Sequence, residues 1–418
     1  MVKRVLMIAF HFPPMRGSSG ILRTLKFSRY LPEFDWEPII LTAHPRTYAN
    51  TSNDQVAEIS DRVTVYRAFG FDTSRHLSFM RRYPGLLALP DRWVSWSLGA
   101  IPMGLYLIRK YRPDVIWSTY PIATAHLIGL TLSRLTGLPW VADFRDPMTD
   151  VDYPPDRLTR QMYQWIEKKS VTYCTKAVLT TPGAVDDYKE RFPQTPASRF
   201  HLIENGYDEE SFAAAEANRI KEQKKNARLV LIHSGIIYPS ERDPTQLFEA
   251  LAVLTQQELI SHTSLHVILR ATAHDEYLLQ LIDQYKIGDI VSLAPPISYR
   301  EALSEMLAAD GLLILQASNC NNQIPAKLYE YLRARRPILA LTDPVGNTAA
   351  ALISVGVDTM APLDSRNDIM RELLRFLALI KGNEAPIASM ENALAGSRRS
   401  RTKELSNLLE SVAQRAGS

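Results

Sequence analysis

Residues 324–340 have the sequence IPAKLYEYLRARRPILA, which predicts a helix followed by a buried strand. The segment places Lys327 and Glu330 three positions apart at the start of that helix. Because residues three apart share a helix face, an ammonium group and a carboxylate lie side by side where free backbone amides already favour an anion. The combination suits a nucleoside diphosphate, since the cation and the amides bind phosphates and the carboxylate accepts hydrogen bonds from ribose hydroxyls.

Apolar, strand-like runs alternate with helical patterns along the whole chain. The predicted strands cover residues 4–10, 37–43, 63–68, 114–120, 140–144, 177–181 and 200–204, and then 228–234, 264–270, 289–294, 311–316 and 337–342. The predicted helices cover residues 21–31, 123–136, 157–174, 183–191, 245–255, 276–285, 299–308 and 326–334. This alternation predicts an α/β protein with mostly parallel, doubly wound sheets covered by helices on both faces.

Length and composition indicate two domains. A chain of 418 residues is too long for one ordinary core. Residues 211–227 are rich in Ala, Glu, Lys and Asn without apolar periodicity, so we predict a solvated linker there. Ligands of parallel α/β sheets bind at the carboxyl ends of the strands, and with two such domains we expect the site in the cleft between them.

Charge and cysteine content exclude several classes. The net charge of +3 is too small for bulk nucleic-acid binding, and two distant cysteines do not make a disulfide framework or a structural zinc site. The apolar run at residues 5–10 is interpreted as part of the first strand, 4–10, and not as a signal peptide, because it is short and no small-residue cleavage site follows it. Residues 115–133 lack charged side chains, but their Ser, Thr, Pro and His favour a strand, a turn and a helix over a membrane span. We predict a cytoplasmic protein.

The loop after the first strand, residues 11–20, reads HFPPMRGSSG. Gly17 and Gly20, with Ser18 and Ser19 between them, let backbone amides approach an anion at a helix start. The loop matches neither the dinucleotide fingerprint nor the P-loop. The alternative is a flexible turn.

A charged cluster follows the predicted strand 140–144. Asp143, Arg145 and Asp146 stand at the carboxyl end of this strand, where such sheets bind ligands. The alternative is a structural ion pair. Asp150 and Asp152 form an Asp-x-Asp in a Pro-rich loop with no further ligands nearby, so we predict no metal.

The second half carries a comparable pair after its first strand. Gly235 permits close approach of a ligand, and Arg242 precedes a helix whose start is marked by Asp243 and Pro244. Arginine is suited to bidentate phosphate binding, although a surface arginine is the alternative.

Residues 75–111 interleave Trp, Leu and Arg, as interfacial membrane-binding surfaces do. Ordinary helices with a basic solvated face are the alternative.

In this order and spacing, the elements resemble the family-4 retaining glycosyltransferases. The resemblance covers nearly the whole chain and implies the GT-B fold, two Rossmann-like domains facing across a cleft. Residues 1–210 would be the N-terminal acceptor-side domain and 211–227 the linker. Residues 228–395 would be the domain that binds the donor nucleotide, and 396–418 a helix packing back toward the N-terminal domain. The elements that carry the resemblance are the 11–20 loop, Asp143–Asp146, Asn205-Gly206-Tyr207-Asp208, Gly235 with Arg242, and Lys327 with Glu330.

The resemblance also implies residue roles. Arg242 matches the basic residue that binds the donor diphosphate, displaced by one position, and Lys327 would be a second phosphate ligand. Glu330 resembles the ribose-binding second member of the family's Glu-x7-Glu pair. The first member falls at Asn322, which can hydrogen-bond a sugar hydroxyl but is no carboxylate. The full donor-binding set is Gly17, Ser18, Ser19, Gly20, Gly235, Arg242, Asn322, Lys327, Leu328 and Glu330.

On the acceptor side, the family often has a histidine where this chain has Arg145 or Asp146. The predicted acceptor-side residues are His11, Arg16, Tyr120 and His126. The predicted catalytic residues are Asp143, Arg145, Asp146, Arg242 and Lys327.

The implied activity is metal-independent, cofactor-independent glycosyl transfer with retention. The donor is expected to be a UDP- or GDP-linked sugar and the acceptor a saccharide or lipid-linked glycan. The implied setting is bacterial polysaccharide or cell-envelope glycan synthesis at the inner face of the membrane, with contact through residues 75–111. Two alternatives stay open: a non-catalytic nucleotide-sugar-binding protein, which Asn322 favours, and a nucleotide-sugar epimerase of the same fold.

Overall fold

The computed structural model describes residues 2–17, 20–53, 55–78, 83, 85–150, 153–217 and 228–416. The described strands are β1 (Lys3–Ile8), β2 (Trp36–Ala43), β3 (Thr64–Ala68), β4 (Val115–Thr119), β5 (Trp140–Arg145), β6 (Lys176–Leu179), β7 (Phe200–Leu202), β8 (Leu229–Ser234), β9 (Leu265–Arg270), β10 (Val291–Ala294), β11 (Gly311–Leu315), β12 (Ile338–Leu341) and β13 (Met360–Ala361).

The described α-helices are α1 (Gly20–Tyr30), α2 (Thr73–His76), α3 (Trp96–Tyr111), α4 (Ala123–Thr136), α5 (Arg157–Tyr173), α6 (Pro182–Arg191), α7 (Glu209–Ala217), α8 (Pro239–Arg242), α9 (Thr245–Gln256), α10 (Asp275–Tyr285), α11 (Tyr299–Ala308), α12 (Lys327–Ala334), α13 (Asn347–Ser354), α14 (Arg366–Gly382), α15 (Met390–Ala395) and α16 (Arg398–Ala416).

The first compact unit consists of Met1–Asn205 together with Arg398–Ser418. Its seven-stranded sheet has the order β3-β2-β1-β4-β5-β6-β7, and all neighbouring strands are parallel. This is the doubly wound order. The strands β1 to β3 are added toward one edge of the sheet and β4 to β7 toward the other, so the strand order reverses between β1 and β4. Ligands of such sheets bind at that point, at the carboxyl ends of the strands.

Strand β1 shows why the sheet is covered on both faces. Leu6 and Ile8 enter one apolar core, while Val5 and Met7 enter the core on the opposite face. Successive side chains of a strand point to opposite faces, so a continuous apolar run is what burial on both sides requires.

The last helix, α16, belongs to the first unit. It packs against α1 and buries Leu405, Leu409 and Val412 in the same core as Val5 and Met7. An ion pair between Lys3 and Glu410 also joins it to β1. The C-terminal segment is therefore part of the N-terminal unit's core.

The second unit consists of Gly206–Ser397. Its six-stranded parallel sheet has the order β10-β9-β8-β11-β12-β13, and the strand order reverses between β8 and β11. Helices cover both faces here as well, since separate apolar cores lie on either side of β8 and β11. Both units thus have the predicted Rossmann-like topology.

The predicted solvated linker differs from the structure in its first part. Residues 211–217 lie in α7, where Phe212 and Ala215 are fully buried. The Arg333 guanidinium of α12 bonds the carboxylates of Glu209 and Glu216 and ties α7 to the second unit. The alanine-rich composition concealed this helix because only two of its side chains are needed to anchor it. The remaining linker residues, 218–227, lie outside the described part.

Two segments considered for membrane contact are accounted for in the first unit. Residues 115–133 form β4 and most of α4, a buried strand and helix, as predicted. Residues 96–111 form α3, which exposes Leu98 and Tyr106. Arg81 and Arg82 lie outside the described residues. Among the described helices, none has both the length and the apolarity to span a bilayer.

Candidate functional site

The second unit brings Lys327, His233 and Gly235 together. Lys327 begins α12, and its Nζ lies 2.9 Å from Nε2 of His233 at the end of β8. Nδ1 of His233 lies 2.9 Å from the Leu313 carbonyl oxygen. A carbonyl only accepts, so Nδ1 carries the proton and Nε2 accepts from the lysine. The strands β8 and β11 thereby fix where the lysine amine lies.

Gly235 has a φ of +122° and leaves room for this lysine. A Cβ at this position would lie 3.1 Å from Lys327 Nζ. Residues with side chains rarely adopt such a φ, so both the backbone and the lysine require glycine here. The predicted close approach of a ligand to Gly235 stays a prediction.

The electrostatics of the pair follow from burial. Burial, and secondarily the charge of Arg242, holds the pKa of Lys327 well below its ordinary value, while Glu330 opposes the shift. Burial and the neighbouring Lys327 likewise keep the pKa of His233 well below its ordinary value, so His233 is neutral. The carboxylates nearest to the two basic groups are Glu330, on the helix of Lys327, and Glu241, whose Oε2 lies 3.9 Å from Nη2 of Arg242.

Arg242 ends the short helix α8. Its Nη1 donates to the Ile236 carbonyl oxygen at 2.7 Å, and its guanidinium lies 5.5 Å from the centre of the Tyr238 ring. These contacts hold the charge beside Lys327 and His233, whose pKa values it lowers. Lys327, Arg242 and Gly235 are therefore brought together as predicted.

The remaining donor-side predictions divide. Glu330 lies on the same helix as Lys327, and its carboxylate accepts a hydrogen bond from the Tyr299 hydroxyl at 2.8 Å. Asn322 is exposed in the loop before that helix. Leu328 is wrong as a ligand contact: its side chain is fully buried in the core and its backbone N donates to the Pro325 carbonyl. A position next to Lys327 on a helix points about 100° away, into the sheet.

In the first unit, His11 and Arg145 are close neighbours at the carboxyl edge of the sheet. Burial, and then the charge of Arg145, lowers the pKa of His11 to about 4. Arg145 ends β5 with a φ of +65°, at a register shift in the pairing of β5 with β6. Asp146 follows, with Oδ1 3.3 Å from the Thr180 hydroxyl.

Asp143 is a structural anchor and not a catalytic group. It is fully buried, and both of its oxygens accept from Arg23 at 2.9 Å while Thr119 donates to Oδ2. Arg23 also donates to the carbonyls of Ile203 and Glu204. The ion pair therefore joins α1, β4, β5 and the end of β7, and no acceptor group of Asp143 faces a ligand.

His126 is likewise a core residue and not an acceptor contact. It is fully buried on α4, its Nδ1 lies 2.8 Å from the Ser118 hydroxyl, and its ring packs 4.7 Å from that of Phe144. Burial lowers its pKa to about 3. Tyr120 is also mostly buried, with its ring 6.3 Å from that of Tyr163, and burial raises its pKa.

The 11–20 loop is described only in part. Gly17 has a φ of +93° with open space around its Cβ position, and Arg16 is exposed. Gly20 is the first residue of α1. Ser18 and Ser19 lie outside the described residues, so the anion-binding interpretation of the loop stays a prediction.

The Asp-x-Asp is likewise described only at Asp150, which is exposed; Asp152 lies outside the described residues. In the part of the chain that is described, no group of three or more His, Cys, Asp or Glu side chains could hold a metal.

Sequence reasoning missed two residues of these sites. His233 positions Lys327, and Arg23 neutralises Asp143. The available signal for both was a basic side chain inside an otherwise apolar segment, since such a residue needs a polar partner when buried.

Residues 21–206 match the family model described as Glycosyl transferase 4-like domain. The match covers somewhat less than half of the chain, and it agrees with the family resemblance described above. No curated protein matches the chain in sequence.

Solved structures of similar fold cover nearly all of the chain. Sucrose-phosphate synthase from Thermosynechococcus elongatus has a TM-score of 0.65 at 16% identity, covering 99% of this chain and 97% of its own. Anabaena HepE in complex with UDP and glucose has a TM-score of 0.62 at 12% identity, and the match covers 98% of this chain and 100% of HepE. UDP-GlcNAc 2-epimerase from Neisseria meningitidis, bound to UDP-GlcNAc, has a TM-score of 0.56 at 10% identity, covering 98% and 100%. These likenesses establish the GT-B fold with its two Rossmann-like domains.

Proposed function

We propose that this protein is a retaining, metal-independent glycosyltransferase that moves a sugar from a nucleoside-diphosphate sugar to a saccharide or lipid-linked acceptor. The observation that carries the proposal is the Lys327 amine, held 2.9 Å from His233 over Gly235 and beside Arg242. Two basic side chains held beside each other fit a diphosphate. The glycosyl transferase 4-like domain and the fold support the same class.

The mechanism follows from the charge that develops on the leaving group. As the bond between the anomeric carbon and the diphosphate oxygen breaks, Lys327 and Arg242 stabilise the negative charge on that oxygen. The acceptor hydroxyl attacks from the face that the diphosphate leaves and gives its proton to a leaving phosphate oxygen. This order of reaction steps retains the anomeric configuration, uses no enzymic nucleophile and needs neither a metal nor a cofactor. Asn322 would bond a sugar hydroxyl and Glu330 the ribose.

The donor we propose is UDP- or GDP-linked, since two of the similar structures hold UDP or a UDP-sugar. The setting we propose is the cytoplasmic face of the membrane, in polysaccharide or cell-envelope glycan synthesis. Residues 75–111 supply a surface for contact with that membrane. Within them, Leu86, Leu87, Leu98 and Tyr106 are exposed, with Lys110 on the same helix as the last two.

The proposal is tested by ligand stabilisation and by turnover. UDP-, GDP-, ADP- and TDP-sugars are compared by thermal unfolding, because a ligand at 100 times its dissociation constant adds about 2.7 kcal/mol. Lys327→Ala and Arg242→Ala should each reduce transfer roughly 100-fold or more, the scale of losing one donor to a developing oxyanion. Arg371→Ala, which removes a 75% exposed arginine of the same unit, is the matched control. Full activity in both site variants would refute the site assignment.

Asn322 favours a second candidate, a non-catalytic nucleotide-sugar-binding protein, because the family carboxylate is missing there. This candidate predicts stabilisation by a nucleotide sugar without turnover on any acceptor. Asn322→Glu should then create activity, whereas in a working transferase it should alter the activity already present. An epimerase needs no acceptor. Incubating the protein with the nucleotide sugar alone, and then analysing the configuration of the sugar, therefore distinguishes an epimerase from the other two candidates.

A further inference from the structure

Arg145 occupies a backbone conformation that disfavours its side chain. Its φ of +65° lies in the left-handed region, where Cβ crowds the following carbonyl. The conformation is fixed, because the Arg145 carbonyl accepts from both the backbone N and the hydroxyl of Thr180, at 2.8 and 2.9 Å. Strain of this kind persists where the surrounding structure imposes it, and it is concentrated at ligand sites. Glycine or asparagine would relieve this strain.

The guanidinium lacks a partner of opposite charge among the described residues. Its Nε–H is buried and makes no hydrogen bond with them, and Arg145 forms no ion pair with them. Asp146, its neighbour in the chain, lies instead beside the Thr180 hydroxyl, and Asp143 is already neutralised by Arg23. A partly buried cation left in this way costs free energy that an arriving anion would remove.

His11 lies close enough to Arg145 to sense its charge. It follows the end of β1 by three residues and is neutral at pH 7, because burial and then the charge of Arg145 lower its pKa to about 4. The strand order reverses between β1 and β4, so His11, which follows β1, stands at that place, and Arg145, at the end of β5, stands one strand away. Ligands of doubly wound sheets bind there.

We propose that Arg145 binds an oxyanion, a phosphate or a carboxylate, carried by the sugar substrate that the first unit holds. The guanidinium presents two parallel N–H donors, the arrangement that matches either oxyanion. The substrate class is thereby narrowed from saccharides in general to phosphorylated or acidic sugars. This inference rests on the proposed transferase function. The residues that carry it, Arg145 and His11, belong to the first unit, whereas Lys327 and Arg242 of the donor site belong to the second.

Histidine NMR on the full-length chain tests the proposal. UDP is added first to fill the donor site, and its arrival is read from His233, which contacts Lys327. Inorganic phosphate and, separately, glucuronate, which both stay mainly charged in the pH range where His11 titrates, are then added while the pKa of His11 is followed. A bound oxyanion offsets the charge of Arg145, so the pKa of His11 should rise. His126, which is fully buried in the core, should not respond.

The control variant is Arg145→Gln, which removes the charge and keeps a polar side chain. Its His11 should start from a higher pKa and should show no change with either anion, while unchanged His126 signals show that the unit is folded. A response to phosphate alone assigns a phosphorylated sugar, and a response to glucuronate alone assigns an acidic sugar. An unresponsive His11 in the unmodified chain, or an equal response in Arg145→Gln, overturns the proposal. If UDP leaves His233 unchanged, it is the donor site that fails, whatever His11 does.

Discussion

At the scale of single residues, the donor-side chemistry depends on how one lysine is held. Lys327 was identifiable from the sequence because a lysine and a glutamate three apart at a helix start form a recognisable pair. His233 was not, because its contact with Lys327 joins residues that are 94 positions apart. A sequence pattern covers neighbours along one element, whereas this contact requires α12 to lie over the end of β8.

Gly235 provides the first prediction at this scale. Gly235→Ala should weaken UDP binding at least tenfold, because the new Cβ would lie 3.1 Å from Lys327 Nζ and displace it. Gly356→Ala is the matched control: Gly356 also has a positive φ, +81°, but no atom lies within 4 Å of its Cβ position. Both variants pay for backbone strain, so both should lose stability. Isothermal titration should show weaker binding in the first only, and equal affinities would exclude the close-approach argument.

The lowered pKa of Lys327 predicts a pH dependence of binding. Above its pKa the amine is neutral, so the affinity for UDP should fall as pH rises through that value, below the ordinary lysine value of about 10.4. The charge on the diphosphate of UDP is constant above about pH 7, because its terminal phosphate ionises near 6. The uracil N3–H also ionises in the upper part of the range, but it affects both of the compared proteins alike. Lys327→Arg stays charged throughout and should bind with little pH dependence. Equal slopes in the two proteins, measured as dissociation constants from about pH 7 to 10, would contradict this origin.

At the scale of elements, polar side chains join strands and helices that the hydrophobic pattern alone places only approximately. The sequence located most strands and helices because alternating apolar runs are visible along one chain. Asp143 and Arg145 are two positions apart in β5, so strict alternation predicts that they share one face of the strand. The structure has a register shift between these residues, and they serve different ends: Asp143 pairs with Arg23 in the core, and Arg145 lies at the edge.

The pair of Arg23 and Asp143 predicts a large stability effect. Arg23→Met leaves the Asp143 carboxylate buried without its counterion, which should cost about 3–5 kcal/mol in the free energy of unfolding. Arg371→Met removes an exposed ion pair and should change stability by less than about 1 kcal/mol. Urea unfolding monitored by circular dichroism compares the two. A small effect of Arg23→Met would mean that Thr119 and nearby water suffice to hold the carboxylate.

At the scale of the whole molecule, two units repeat one topology. In each sheet the first three strands follow one another toward one edge, and the later strands follow one another toward the other edge, starting beside the first strand. Loops lie at the carboxyl ends of the strands. The division between units falls between Asn205 and Gly206, and α16 returns to the first unit. Both features follow from apolar contacts: Phe212 of α7 packs in the second unit, and Leu409 of α16 in the first.

The returning helix gives a prediction at this scale. Leu409 is fully buried in the first unit, so Leu409→Ala should lower the free energy of unfolding by about 2–5 kcal/mol. Lys403→Ala, at an exposed position of the same helix, should change it by no more than about 0.5 kcal/mol. Thermal unfolding of the full chain measures both. Equal melting temperatures in the two variants would mean that α16 is dispensable to the first unit.

The sequence by itself determined the α/β class, the two Rossmann-like sheets and the position of Lys327 with Glu330, because strand alternation, helix periodicity and helix starts are local patterns. Only the tertiary structure decided that His233 fixes Lys327 over Gly235, that Arg23 neutralises Asp143, that His126 and Leu328 lie in cores, and that residues 209–217 form a helix. Each of these depends on which side chain of a distant element supplies a partner. A buried charge or polar group must find such a partner, but the sequence does not say where along the chain it lies.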